Sequence, residues 1–81
     1  MMNPDTVTFR FWRAYEELID LDRIGPVQIC RDLGVDRRNF AKIYKNLDHR
    51  HIRAEWLSVF VKYYGVSAKW LLTGEGWMFG E

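Results

Sequence analysis

PVQICRDLGVDRRNFAKIYK, residues 26–45, decides how this chain folds. It reads as two short helices joined by a tight turn. The first spans 26–33 and sets Ile29 and Leu33 four residues apart on one face. Gly34 is expected to end it, because glycine takes the left-handed conformation that a helix C-terminus usually needs. Val35 is an apolar plug in the turn, and Asp36 is a good N-cap for the next helix. That second helix, over 37–46, turns Phe40, Ile43 and then Leu47 inward. Arg37, Arg38, Ala41, Lys42 and Lys45 project the other way, within an arc of about 140° at roughly 100° per residue. Ala41 sits in the middle of that arc among four cations, so the helix can come close to whatever it faces.

Outward from this pair, the chain reads as a short series of helices. Residues 1–5 are expected to fray. Thr6 or Thr8 can cap a first helix running to about Asp22. Phe9, Trp12, Leu18 and Ile19, with Tyr15 beside them, give it an apolar stripe, and Glu16, Glu17, Asp20 and Asp22 an acidic face. Gly25-Pro26 then breaks the chain, since proline suits the first position of a new helix. LDHRHIR, 47–53, is a polar, cationic loop with Ile52 as its anchor to the core. A fourth helix runs from about Arg53 to Tyr64. Its Leu57, Phe60, Val61 and Tyr64 stand at the i, i+3, i+4, i+7 spacing of a buried face. Gly65 ends it, Ser67 caps a fifth helix with Trp70 and Leu71 inward, and Gly74 stops that one. Residues 75–81 form a tail carrying Trp77, Met78 and Phe79.

The fold class expected is therefore all-α: one five-helix domain over residues 1–81. Eighty-one residues allow no more than one. At this size only about 60–65% of the unfolded surface is buried on folding, so the core must be efficient. A composition 48% hydrophobic and 16% aromatic supplies it. The single cysteine, Cys30, excludes an internal disulfide framework. With no secretory leader pattern in residues 1–13, the cytoplasm is the expected compartment. No apolar stretch approaches the roughly 20 residues of a membrane span.

The net charge is only +1, but it is unevenly spread. Residues 37–53 hold six cations (Arg37, Arg38, Lys42, Lys45, Arg50, Arg53) against the single carboxylate of Asp48. Residues 5–22 hold five carboxylates and two arginines. A basic half set against an acidic half steers polyanions to one side. A helix with one basic face, set across a glycine turn from another helix, is what a DNA reader places in the major groove.

The 26–45 stretch resembles the helix-turn-helix of the Cro/phage-repressor (XRE-type) family. That pattern has apolar residues where Ile29, Leu33, Val35, Phe40 and Ile43 stand, glycine at Gly34, and a small residue where this chain has Cys30. GVSAKWLLTGEG, residues 65–76, resembles the family's closing helix and its exit. The resemblance implies sequence-specific binding of double-stranded DNA by a transcriptional regulator, a repressor acting as a homodimer on a two-fold operator. It implies base-edge contacts from Arg37, Arg38 and Lys42. Lys45, Arg50 and Arg53 then take the phosphates. Three departures stand out: Pro26 replaces a phosphate-binding glutamine, Tyr44 replaces a glutamate, and the loop after the third helix is longer.

Other features carry less. Trp77, Met78 and Phe79 are candidates for a dimer contact, with packing inside the chain as the alternative. His49 and His51, two apart in a loop, do not make a metal site, and Cys30 reads as a small buried hydrophobe. No metal, cofactor or small-molecule site is evident. Nor is an enzyme: there is no Gly-rich phosphate loop, no metal quartet, and no serine or cysteine with a base. The rival to a DNA reader is a protein-interaction module on the same fold, antitoxin-like or an adaptor. A third reading makes the chain a fragment of a longer repressor.

Overall fold

The computed structural model describes residues 6–45 and 52–80, and five helices lie among them. They are α1 (Val7–Asp20), α2 (Pro26–Leu33), α3 (Arg37–Lys45), α4 (Ala54–Tyr64) and α5 (Ala68–Thr73). The expected all-α architecture is what forms. Helix α1 packs on α5, and α2 packs on both α3 and α4.

Each helix begins and ends for a local reason. The Thr6 hydroxyl accepts the Phe9 N–H at 3.0 Å, and the Ser67 hydroxyl accepts that of Trp70 at 3.2 Å, each satisfying a first-turn donor. Gly34 ends α2 with φ of 71°, and Gly65 ends α4 with φ of 75°, conformations in which a Cβ is strained. Helix α1 stops two residues earlier than the acidic run suggests. Asp22 takes a left-handed φ of 56°, which a short polar side chain tolerates. The N–H of Asp22 bonds to the Ile19 carbonyl, and that of Arg23 to Leu18.

The core is aromatic. Phe11, Trp12, Leu18, Ile29, Phe40, Trp56, Phe60 and Leu71 are all essentially buried. Phe11 and Phe60 stack at 4.3 Å, and Phe11 meets Trp12 edge-on at 4.9 Å. Phe40 of α3 then touches both Trp12, at 5.2 Å, and Trp56, at 5.8 Å. The buried stripe of α1 is thus Phe11, Trp12, Ala14 and Leu18; Phe9 and Ile19, expected in the core, are only half-buried. On α4 the core positions are Trp56, Phe60 and Tyr64, with Leu57 and Val61 at the margin. On α4 the indole of Trp56 takes the central position beside Phe60, where it buries more area than Leu57 would.

Two features depend on residues far apart in sequence. Arg10 is buried, and its Nε donates to the Leu71 carbonyl at 2.9 Å while a terminal nitrogen donates to that of Leu72 at 3.1 Å. It thereby satisfies carbonyls at the end of α5 that have no helical partner. The tail also folds back. Ser67 N–H bonds to the Met78 carbonyl at 2.8 Å and Gly80 N–H to that of Gly65 at 3.0 Å, pairing Val66 with Phe79. Met78 and Phe79 are half-buried against the core, in keeping with the alternative of packing inside the chain. Only Trp77 stands out, at 80% exposure.

On α5 the inward position belongs to Leu71, at 1% exposure, whereas Trp70 is half-buried at the flank. Helix α5 packs on α1, and Leu71 is the residue it buries. Leu71→Ala is therefore expected to cost about 2–5 kcal/mol, the range for a fully buried aliphatic. Trp70→Ala should cost less. Urea denaturation of the two variants checks the order, and the reverse order would place the indole in the core.

Candidate nucleic-acid interface

The candidate interface is the outer face of α3, and its construction starts at Asp36. The Asp36 carboxylate accepts the N–H groups of Arg38 and Asn39, at 3.1 and 3.2 Å, and its own carbonyl accepts that of Phe40 at 2.8 Å. The turn before it is closed by Val35 N–H bonding to the Cys30 carbonyl at 3.0 Å. Val35 is half-buried as a plug. The turn is therefore fixed on both sides, and α3 leaves it in a defined direction.

Amphipathicity then sorts the side chains. Phe40 is buried at 3% exposure, with Ile43 and Tyr44 half-buried beside it. Arg37, Arg38, Asn39, Ala41, Lys42 and Lys45 are exposed. The four cations of the arc thus share one solvent face, with the small Ala41 between them. Arg53, the residue just before α4, is also exposed. Arg50, His49 and His51 lie outside the described residues.

Two tyrosine–carboxylate hydrogen bonds hold the helix pair against the rest of the domain. Tyr44 donates to Glu16 at 2.7 Å and ties α3 to α1. Tyr64 donates to Asp32 at 2.7 Å and ties α2 to α4. Asp32 also accepts from the Gln28 amide at 2.8 Å. Each phenol raises its own pKa by donating to a carboxylate. The bond to Glu16, with burial second, pushes Tyr44 up to about 12. For Tyr64 burial comes first and the bond to Asp32 second. Neither pair was visible in the sequence. The partners are 28 and 32 residues apart, beyond the reach of any local pattern.

Cys30 is buried at 3% exposure, and burial pushes its thiol up. A protonated, enclosed thiol is a poor nucleophile, consistent with a packing role. Among the described residues, no group of three or more His, Cys, Asp or Glu side chains is placed to hold a metal ion. No helix among them is long and apolar enough to cross a membrane.

The chain matches no family model, no curated protein and no solved structure. The resemblance described above rests on the residues quoted for it.

The Tyr44–Glu16 bond carries a pH signature. A phenol whose folded pKa lies above its unfolded value of about 10 contributes fully below that value. Its contribution is lost as pH rises through the folded value of about 12. Stability is expected to fall more steeply between those limits in the native chain than in Tyr44→Phe. Urea midpoints across that window test this, and parallel curves would remove the hydrogen bond from the account.

Proposed function

We propose that this chain binds double-stranded DNA sequence-specifically, as a transcriptional regulator of repressor type that lays α3 in the major groove. The observation that carries the reading is the outer face of α3: four exposed cations around an alanine, on a helix anchored from behind by buried Phe40. The sizes agree. A helix with its side chains is about 10–12 Å across, and the major groove is about 12 Å wide. The start of α3 is capped by Asp36 and its far end is braced by Tyr44 on Glu16, so the cationic face is held in one direction.

Within this reading, Arg37, Arg38 and Lys42 lie at the start and middle of α3, where side chains reach base edges. Arginine bonded to guanine O6 and N7 is the commonest specific pairing, so a G-containing site is expected. Lys45 and Arg53, with Arg50 as the sequence suggests, take backbone phosphates, which position the protein without reading sequence. Arg38→Ala is expected to cost about 1–3 kcal/mol on a site selected from random duplexes and much less on scrambled DNA. Arg53→Ala is expected to weaken both equally and to lower the salt slope by about one, since one fewer counterion is released. Equal losses for Arg38→Ala on both duplexes would take α3 out of the groove.

The reading includes a homodimer on a two-fold site. Its support is apolar surface on α5 and beyond. Leu72 is 56% exposed and Trp77 80%, and a shallow groove lined by Leu57, Val61, Ala68, Leu71 and Leu72 runs between α4 and α5. The same surface favours the second reading, a protein-interaction module. Trp77→Ser is expected to weaken self-association in sedimentation, and operator affinity with it. Tight self-association in the absence of any DNA preference would favour the interaction module instead.

A further inference from the structure

A second cationic feature, a cleft, lies outside the α3 face. Its volume is about 970 Å³, at the upper end of the range for small-molecule sites. Leu18, Ile24 and Tyr64 are the buried and half-buried members of its lining. Three exposed cations line it from three different elements: Arg23 from the connection after α1, Arg31 from α2 and Lys62 from α4. The exposed ring of Tyr63 stands beside them.

The charge balance of this cleft is positive. Its lining holds three cations and a single carboxylate, Asp32. That carboxylate is already engaged, one oxygen by the Tyr64 hydroxyl and the other by the Gln28 amide. No carboxylate of the described residues forms an ion pair with Arg23, Arg31 or Lys62. Arg23 lies 5.1 Å from the Phe79 ring centroid, and Arg31 gives one nitrogen to Gln28 Oε1 at 3.2 Å. Each contact steadies a guanidinium that still has several of its five donors to offer. Lys62 lies 5.9 Å from the Tyr63 ring centroid.

We propose that this cleft binds a small organic anion, with a phosphate or carboxylate head held by Arg23, Arg31 and Lys62 and a planar or apolar body laid on Ile24 and the tyrosine rings. Guanidinium forks match the geometry of such oxyanions, and charge-assisted bonds of this kind are about twice as strong as neutral ones. An occupant would bridge α2 to α4 and to the end of α1, reinforcing the Asp32–Tyr64 tie at the base of the helix pair. The inference stands apart from the DNA reading, because none of its residues belongs to the α3 face.

Titration of the ¹⁵N-labelled chain with phenyl phosphate tests it, with inorganic phosphate and phenol as separate arms. Saturable shifts are expected at the amides of Arg23, Arg31, Asp32, Tyr64 and Gly65. Phenyl phosphate should bind more tightly than inorganic phosphate, and phenol should not bind. The double variant Arg31→Gln/Lys62→Gln is expected to bind at least about tenfold more weakly, the loss of one or two charge-assisted bonds. Its amide dispersion reports whether it remains folded. Arg37→Gln/Arg38→Gln should bind as the native chain does. Shifts centred on α3, a titration without saturation, or unchanged affinity in the Arg31/Lys62 variant would each overturn the assignment.

Discussion

Phe11 stacked on Phe60 is the contact on which the rest of this domain depends. Both rings are fully buried, and they join the first helix to the fourth across the middle of the chain. Trp12, Phe40 and Trp56 extend the contact on one side and Tyr64 on the other, the last at 5.2 Å from Phe60. Aromatic pairs of this kind contribute about 0.5–1.5 kcal/mol each beyond the area they bury. In so short a chain a few large rings must supply what a bigger domain spreads over many aliphatic residues. Because Phe40 belongs to the same cluster, the core also sets how α3 is presented. Its buried face is locked into the aromatic packing, so its basic face has one available direction.

The two tyrosine–carboxylate bonds add a second level of constraint. Packing of rings is tolerant of small rotations, whereas a hydrogen bond of 2.7 Å is not. Tyr44 with Glu16 and Tyr64 with Asp32 fix α3 and α2 to different neighbours, and the glycine turn between them is closed by its own backbone bonds. A unit held in this way costs little further ordering when it meets a rigid partner, which favours affinity and discrimination alike. The acidic surface of α1 therefore does more than balance charge: one of its carboxylates is part of the support behind the basic helix.

The proposed division of labour follows from where charge ends up. The α3 face collects cations with nothing apolar exposed between them except the methyl group of Ala41. The cleft between α1, α2 and α4 also collects cations, but over an apolar base. An extended, rigid polyanion suits the first, and a small anion with a body suits the second. The exposed side chains of Leu72 on α5 and Trp77 beyond it are apolar and fit neither.

How much of this could be read in advance depended on range. Thr6, Gly34, Asp36, Gly65, Ser67 and Gly74 mark helix ends through interactions within a few residues, and each is found at the end it marks. The basic arc of α3 was equally legible, because helical periodicity alone separates Arg37, Arg38, Lys42 and Lys45 from Phe40. What the sequence by itself determined, then, was the all-α class, the order of the helices and the face that α3 shows to solvent. Tertiary structure decided which of several apolar candidates became core. It chose Phe11 over Phe9 and left Trp70 half-buried beside Leu71, since periodicity gives only the angle of each apolar candidate and the packing partner decides which is covered. It also decided every contact between distant residues: Arg10 with the end of α5, the two tyrosine braces, the tail folded onto Val66, and the cationic cleft. These arise where elements converge in space, and no local pattern records that convergence.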